Sequence, residues 1–317
     1  MVSQAFKYPG STMQMVTLGQ SRKQVSRLSY GTMRISGTWD PNALTPELVA
    51  RGKASLMAAY DAGYTLFDHA DIYGRHTCEQ IHGELFAEQP ELRDRTFLAT
   101  KCSIRWAGEP SSDDPHRYDL SADWIMESVE CSLQRLRTDR IDLLQLHRPD
   151  VLLNPHEVAD AFRMLKSHGK VLHFGVSNFQ PSLVSMLTKW LGEPLAVNQV
   201  QIHMSHLHTF TDGTLDQCLE LGISPLAWSP LGGGKLFAAD HQDQPLQLAV
   251  HSMARKYETT PANIALAWLL KHPSGIIPVI GSTNPERIKD MVKATEIDLT
   301  RSDWYVLYTE ARGEKLP

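Results

Sequence analysis

From Leu28 onward the chain alternates short apolar segments with longer amphipathic ones, and no other feature limits its fold as strongly. The short segments are LSYGTM, YTLFD, TFLAT, IDLLQLH, VLHFGVS, LAVNQVQ, ISPLAW and GIIPVIG. The long ones include 46–62, 121–136, 155–168, 181–191, 214–221 and 246–257, with another apolar helical stretch around Leu266, Trp268, Leu269 and Leu270. Within 121–136, Ile125, Val129, Leu133 and Leu136 share one face at helical spacing, and Ser121 is placed to cap it. Near-continuous apolar strands are expected where helices cover a sheet on its outside. Eight of them separated by helices predict a repeated β–α unit.

The sequence has 317 residues, about the length a (β/α)8 barrel uses. A doubly wound sheet is the competing arrangement, but no GxGxxG turn follows the first strand. Gly232-Gly233-Gly234 comes late and lacks the Lys-Ser/Thr pair of a phosphate loop. The reading is therefore an α/β (β/α)8 TIM barrel forming a single domain over residues 1–317. MQMVTLG and RKQVSRLSYG, turning at Gly19-Gln20, predict a short N-terminal β-hairpin that closes one end.

Three long polar segments follow predicted strands: 104–120, MSHLHTF and GGGKLFAADHQDQ. Loops of such length usually cover a site, and these fall at the carboxyl ends of the strands. A covered pocket is expected at that rim.

Charge and composition narrow the partners. The formal net charge is −5, from 31 basic and 36 acidic residues, with no basic tail, so nucleic acid is not expected. Four separated cysteines, Cys78, Cys102, Cys131 and Cys218, read as free thiols in a reducing compartment. The first residues hold no apolar run of the signal-peptide kind, and no later stretch approaches a membrane span. A cytoplasmic protein without a membrane partner is expected, as a monomer.

Asp68 ends YTLFD, Lys101 ends TFLATK and His147 ends IDLLQLH, while Tyr73 lies five positions beyond Asp68. In a parallel barrel these ends meet at one rim. Each residue alone reads as a salt bridge, a cap or rim packing, because such roles are the commoner ones. Together they match one chemistry, carbonyl reduction, which needs a hydride and then a proton on the developing alkoxide. Tyrosine titrates near 10, too high to donate readily, and a neighbouring ammonium is expected to lower that value. Asp68 would keep Lys101 charged, and His147 would hydrogen-bond and orient the carbonyl.

With those residues in place, FDHADIYG, LATK, DLLQLHRPD, GKVLHFGVSNF, NQVQ, LAWSPLGGG and VIGSTNPERI stand in an order that resembles the aldo-keto reductase family. The family-like core covers about residues 28–292. The resemblance implies the barrel, the hairpin and metal-free reduction of aldehydes or ketones by the pro-R hydrogen of a nicotinamide cofactor. It assigns Asp68, Tyr73, Lys101 and His147 as the catalytic tetrad, with Tyr73 the proton donor. It puts Ser177, Asn178 and Gln199 at the carboxamide, whose donor and acceptor suit these side chains. Trp228 would face the nicotinamide ring. Ser229, Leu231 and Gly232 would approach the pyrophosphate, with Lys235 supplying charge.

Ser282 and Arg287, around the Asn284-Pro285 helix start, would hold an adenosine 2′-phosphate and favour NADPH, with NADH a possible second cofactor. Gly281 stands where the family often has lysine, and Met291 where an adenine-contacting Asn is common, so fewer polar contacts to the phosphate end are expected. His69 replaces the usual Thr of FDTA and is expected to face away from the hydride path. Trp106, His116, Tyr118, His203 and Phe210 are expected at the substrate mouth.

Alternatives stay open. A Schiff-base aldolase would use Lys101, and a cofactor-binding regulatory barrel would bind without turning over. His203, His206 and His208 invite a metal reading, but their spacing is irregular and no neighbouring acid completes a set, so no metal is expected.

Overall fold

A computed structural model describes residues 13–237 and 244–317. β1 (Met15–Leu18) and β2 (Lys23–Ser26) form the expected antiparallel hairpin. It turns through Gly19 at φ +48°, where a Cβ would come 2.2 Å from the Ala196 carbonyl oxygen. Only glycine tolerates both constraints.

The chain continues through β3 (Ser29–Gly31), α1 (Pro46–Asp61), β4 (Leu66–Asp68), α2 (Thr77–Glu88), α3 (Glu91–Asp94) and β5 (Phe97–Cys102). Next come the two-residue strands β6 (Ile104–Arg105) and β7 (Arg117–Tyr118), then α4 (Ala122–Leu136), β8 (Ile141–Leu146), α5 (Pro155–Ser167) and β9 (Val171–Ser177). The remainder is α6 (Pro181–Leu191), β10 (Val197–Gln201), α7 (Thr214–Leu221), β11 (Ser224–Trp228), α8 (Pro245–Lys256), α9 (Pro261–Leu270), β12 (Ile277–Ile280), α10 (Pro285–Asp290) and α11 (Arg301–Arg312). Eight strands close a parallel barrel in the order β3, β4, β5, β8, β9, β10, β11, β12. The (β/α)8 architecture is thus observed, and the doubly wound alternative is excluded. Among the described residues no helix is long and apolar enough to cross a membrane.

Strand alternation divides the barrel into two ends. The hairpin's Leu18 and Val25 pack with Leu66, Phe97, Leu143, Val197, Leu226 and Ile277 in one buried cluster. These barrel residues are inward positions, and a strand repeats its facing every second residue. Two or four residues further along the same faces stand Asp68, Lys101, Gln145 and Gln199, all buried. The inward surface therefore changes from apolar, at the hairpin, to polar at the carboxyl ends. Outward residues such as Phe67, Leu98, Leu144 and Phe174 join the helix-facing clusters instead.

Local signals account for the helices. Thr45, Ser121, Asn154, Thr260 and Thr300 each cap a helix by accepting a backbone N–H. α2 was not legible as an amphipathic segment, because Thr77, Cys78, Glu79, Ile81, His82, Gly83, Leu85 and Phe86 are all buried and leave no clean polar face. Segment 104–120 is largely loop as expected, but its ends pair as β6 and β7.

Candidate active site

The polar end of the barrel opens into a cavity of about 870 Å³, within the range of about 300–1,000 Å³ usual for ligand clefts. Asp68, Tyr73 and His147 line it. Lys101 lies behind them with none of its side chain exposed. Its Nζ donates to Asp68 Oδ2 at 2.7 Å, to the His69 carbonyl at 2.8 Å and to Tyr73 Oη at 3.0 Å. Three acceptors satisfy the three hydrogens of an ammonium. Burial pulls the Lys101 pKa down, but the Asp68 carboxylate and the Tyr73 oxygen outweigh it and leave it above the ordinary lysine value.

The other oxygen of Asp68 accepts from Gln145 Nε2 at 3.1 Å and Gln199 Nε2 at 2.8 Å. Sequence reasoning missed Gln145. The signal was present, since Gln145 sits two residues before His147 and faces inward on the same strand. A glutamine at an inward position of an apolar strand needs a partner, and here the partner is Asp68.

Tyr73 departs from expectation in one respect. Burial raises its pKa by more than the Lys101 ammonium lowers it, so the phenol stands above 10 rather than below. At neutral pH it therefore carries its proton. The His147 ring meets the Tyr73 ring edge to face at 5.9 Å. Burial, followed by the charges of Lys101 and Arg148, drives the His147 pKa well below 6.5. Its Nδ1 has no hydrogen-bond partner among the described residues. A neutral imidazole beside a protonated phenol gives two groups able to donate to one carbonyl oxygen.

His69 turns away from this cavity. Its ring joins a buried chain in which Nδ1 lies 2.9 Å from Thr32 Oγ1 and Nε2 lies 2.8 Å from His82 Nδ1. His82 Nε2 is in turn 2.8 Å from Tyr60 Oη, which contacts Thr96 Oγ1 at 2.6 Å.

Beyond these residues, Ser177, Asn178, Gln199 and Trp228 line the same cavity. Trp228 Nε1 donates to Asn178 Oδ1 at 2.9 Å, and Asn178 Nδ2 donates to Ser177 Oγ at 2.9 Å. Asn178 at φ +61° and Ser229 at φ +50° hold left-handed backbone at the ends of β9 and β11. Non-glycine residues adopt it at a cost, and such positions gather at functional sites. Ser229 and Leu231 also line the cavity, followed by Gly233 and Gly234. Among the described residues no atom lies within 4 Å of where a Cβ would stand on either glycine. Gly232 instead packs toward the His203 ring, 3.3 Å from the position of a Cβ. The Lys235 side chain lies outside the described residues.

Ser282, Arg287 and Met291 form the far end of the cavity, next to Gly281. The size of the cleft and the amide-bearing residues that line it with Tyr73 fit a nicotinamide dinucleotide.

None of the five residues expected at the mouth is among those that line the cavity. Trp106 packs edge-on against the cavity residue Trp39 at 6.3 Å, and His116 and Tyr118 continue that row outward. His203 Nε2 meets Gln201 Nε2 at 3.0 Å. Phe210 is held in an aromatic cluster with Trp268, His272, Trp304 and Tyr308. Its burial there comes from the packing of α9 and α11, which a loop sequence does not reveal. Among the described residues no three His, Cys, Asp or Glu side chains converge as a group able to hold a metal.

Comparison with known proteins agrees with this geometry. Residues 27–307 match the model of the aldo/keto reductase family. The uncharacterized oxidoreductase YcsN of Bacillus subtilis is 39% identical over 308 residues, covering 96% of this chain and all of that protein. A 6-dehydroglucose reductase of Novosphingobium aromaticivorans is 39% identical over 307 residues, covering 95% and 96%. The crystal structure of the thermostable aldo-keto reductase Tm1743 with the inhibitor epalrestat superposes with a TM-score of 0.81 at 26% identity, covering 94% of this chain and 100% of that one. A parallel eight-stranded barrel with this polar rim, matched along most of its length, belongs to the aldo/keto reductase family and is a nicotinamide-dependent oxidoreductase that reduces carbonyls.

Proposed function

We propose that Tyr73 is the proton donor of this reductase, served by Lys101, Asp68 and His147, and that NADPH is the preferred reductant. The observation that carries the reading is Lys101 Nζ bonded at once to Asp68 and to Tyr73 Oη. A substrate carbonyl oxygen takes a hydrogen bond from the neutral His147 and the proton from Tyr73. The bound nicotinamide supplies the hydride to the carbonyl carbon. As the Tyr73 proton leaves, the phenolate gains the full attraction of the ammonium 3.0 Å away, so Lys101 stabilises the product side of the transfer. Asp68 keeps Lys101 charged, and Gln145 and Gln199 keep Asp68 in place.

The same contacts argue against the aldolase alternative. A Schiff base needs a neutral and accessible amine. Lys101 is fully buried and its ammonium is favoured.

For the cofactor, Ser177, Asn178 and Gln199 suit the carboxamide, Trp228 the ring, and Ser229 and Leu231 the pyrophosphate. Ser282 and Arg287 suit a 2′-phosphate, and the Arg287 guanidinium has no ion-pair partner among the described residues. The substrates proposed are small aldehydes or ketones, with 6-dehydroglucose included because a relative is a reductase of it.

Stopped-flow NADPH absorbance with an aldehyde panel tests the reading. Tyr73→Phe should bind cofactor yet lose about 100-fold or more in single-turnover rate. Equal rates in the two proteins would remove Tyr73 from the role. NADH run alongside tests the phosphate anchor.

A further inference from the structure

The charges around the cavity do not cancel. Asp68 is matched by Lys101, and His147 is held neutral. Asp290 pairs with Lys293 and Arg287 is given to the cofactor phosphate, so Arg34 and Arg148 remain, and both line the cavity with Tyr73 and His147. Neither guanidinium has a hydrogen-bond or ion-pair partner among the described residues. Arg148 is partly buried and Arg34 is exposed; the other partly buried arginines Arg105 and Arg135 are paired, with Asp119 and Glu79.

The acids close to them in sequence are engaged elsewhere. Asp150 accepts the backbone N–H of Leu120 at 3.1 Å and of Leu152 at 2.9 Å, one on each oxygen. Asp40 accepts from the backbone of Asn42.

Strand order gives the pair its meaning. Arg34 follows β3 and Arg148 follows β8, with β4 and β5, carrying Asp68 and Lys101, between them in the barrel. Arg148 therefore stands next to His147 at the end of the same strand, and Arg34 at the end of the strand beside the one that leads to Tyr73. Arg148 lies away from the β12 end, where Ser282 and Arg287 stand. Between them the wall is apolar, formed by Met33, Trp39, Ile72 and Ile104. Two like charges facing one partly apolar hollow raise each other's cost when it is empty of anions, and both gain when an oxyanion enters.

We infer that the natural substrates of this reductase carry an oxyanion, a carboxylate or phosphate, received by Arg148 and Arg34 while the carbonyl meets Tyr73 and His147. The inference rests on the carbonyl-reductase reading of this site and adds the chemical class of the substrate.

Paired substrates test it: succinic semialdehyde against butanal, and glyceraldehyde 3-phosphate against glyceraldehyde. The anionic member of at least one pair should have the higher kcat/KM by about tenfold or more, and added salt should narrow the gap. The pair that shows the gap identifies the anion as carboxylate or phosphate. Arg148→Met and Arg34→Met should each bring the ratio toward one, mainly through KM of the anionic substrate, with Arg148→Lys keeping part of it. A wild-type ratio near one in both pairs, with all substrates turned over, overturns the anion site and leaves the reductase intact. A ratio untouched by both Arg→Met changes also overturns it. If only the cofactor KM rises in Arg34→Met, Arg34 serves the cofactor and its part in the anion site is overturned. No turnover of any member with NADPH or NADH sinks the anion site and the reductase reading together.

Discussion

Acid should unfold this protein through its buried histidines. Burial, the neighbouring His82 and the Lys101 charge push His69 well below 6.5, and burial takes His82 down to about 3. His147 is likewise well below 6.5. In the unfolded chain each would titrate near 6.5, so on acidification the unfolded state binds protons that the folded state refuses. Their stabilising effect is full above pH 6.5 and is lost as the pH falls below it. By about pH 5 each histidine removes about 2 kcal/mol.

Asp71 acts in the opposite direction. Burial and the nearby Glu79 raise its pKa well above 3.8, so the folded state holds a proton there that the unfolded chain releases, which works against the histidines. The three histidines together remove about 6 kcal/mol between about pH 7.5 and 5, a loss that Asp71 reduces and that is large beside the 5–15 kcal/mol typical of a folded domain. Urea unfolding at the two pH values, with the slope checked for constancy, reads this directly. The double variant His69→Thr/His82→Phe removes two of the three histidines and should take away about 4 kcal/mol of the loss over the same range. A wild-type difference below about 1 kcal/mol would refute the reasoning.

Three further outcomes are expected. Lys101→Met leaves the buried Asp68 with two amide donors and no cation, which should cost about 3–5 kcal/mol and lower the urea midpoint; an unchanged midpoint would mean Asp68 is not held as a carboxylate. Gly83→Ala should destabilise by about 1–3 kcal/mol, although the same change in an open helix gains about 1, because the added Cβ would stand 2.0 Å from the Arg135 carbonyl oxygen on α4; thermal melts give the sign. Gly281→Lys has open space around it and should tighten NADPH about tenfold with little effect on NADH, measured by fluorescence titration of both cofactors.

The sequence alone carried the barrel, because closing a parallel sheet under helices demands eight apolar strands at regular intervals, and period and length are local properties. It also carried Asp68, Lys101 and His147 as candidates, since charged or polar residues at strand ends are costly without a use. Tertiary structure decided the rest. Which side chains share the barrel interior depends on strand pairing across 77 and 131 residues, and this pairing brought Gln145 and Gln199 to Asp68. The electrostatic balance at Tyr73 depends on burial, which no spacing reports, and it reversed the expected direction of that pKa. The substrate wall was the least legible. Loop residues show their chemistry in sequence but not their direction, so Phe210 went into the packing of α9 and α11, while Arg34 and Arg148 came to face the cavity.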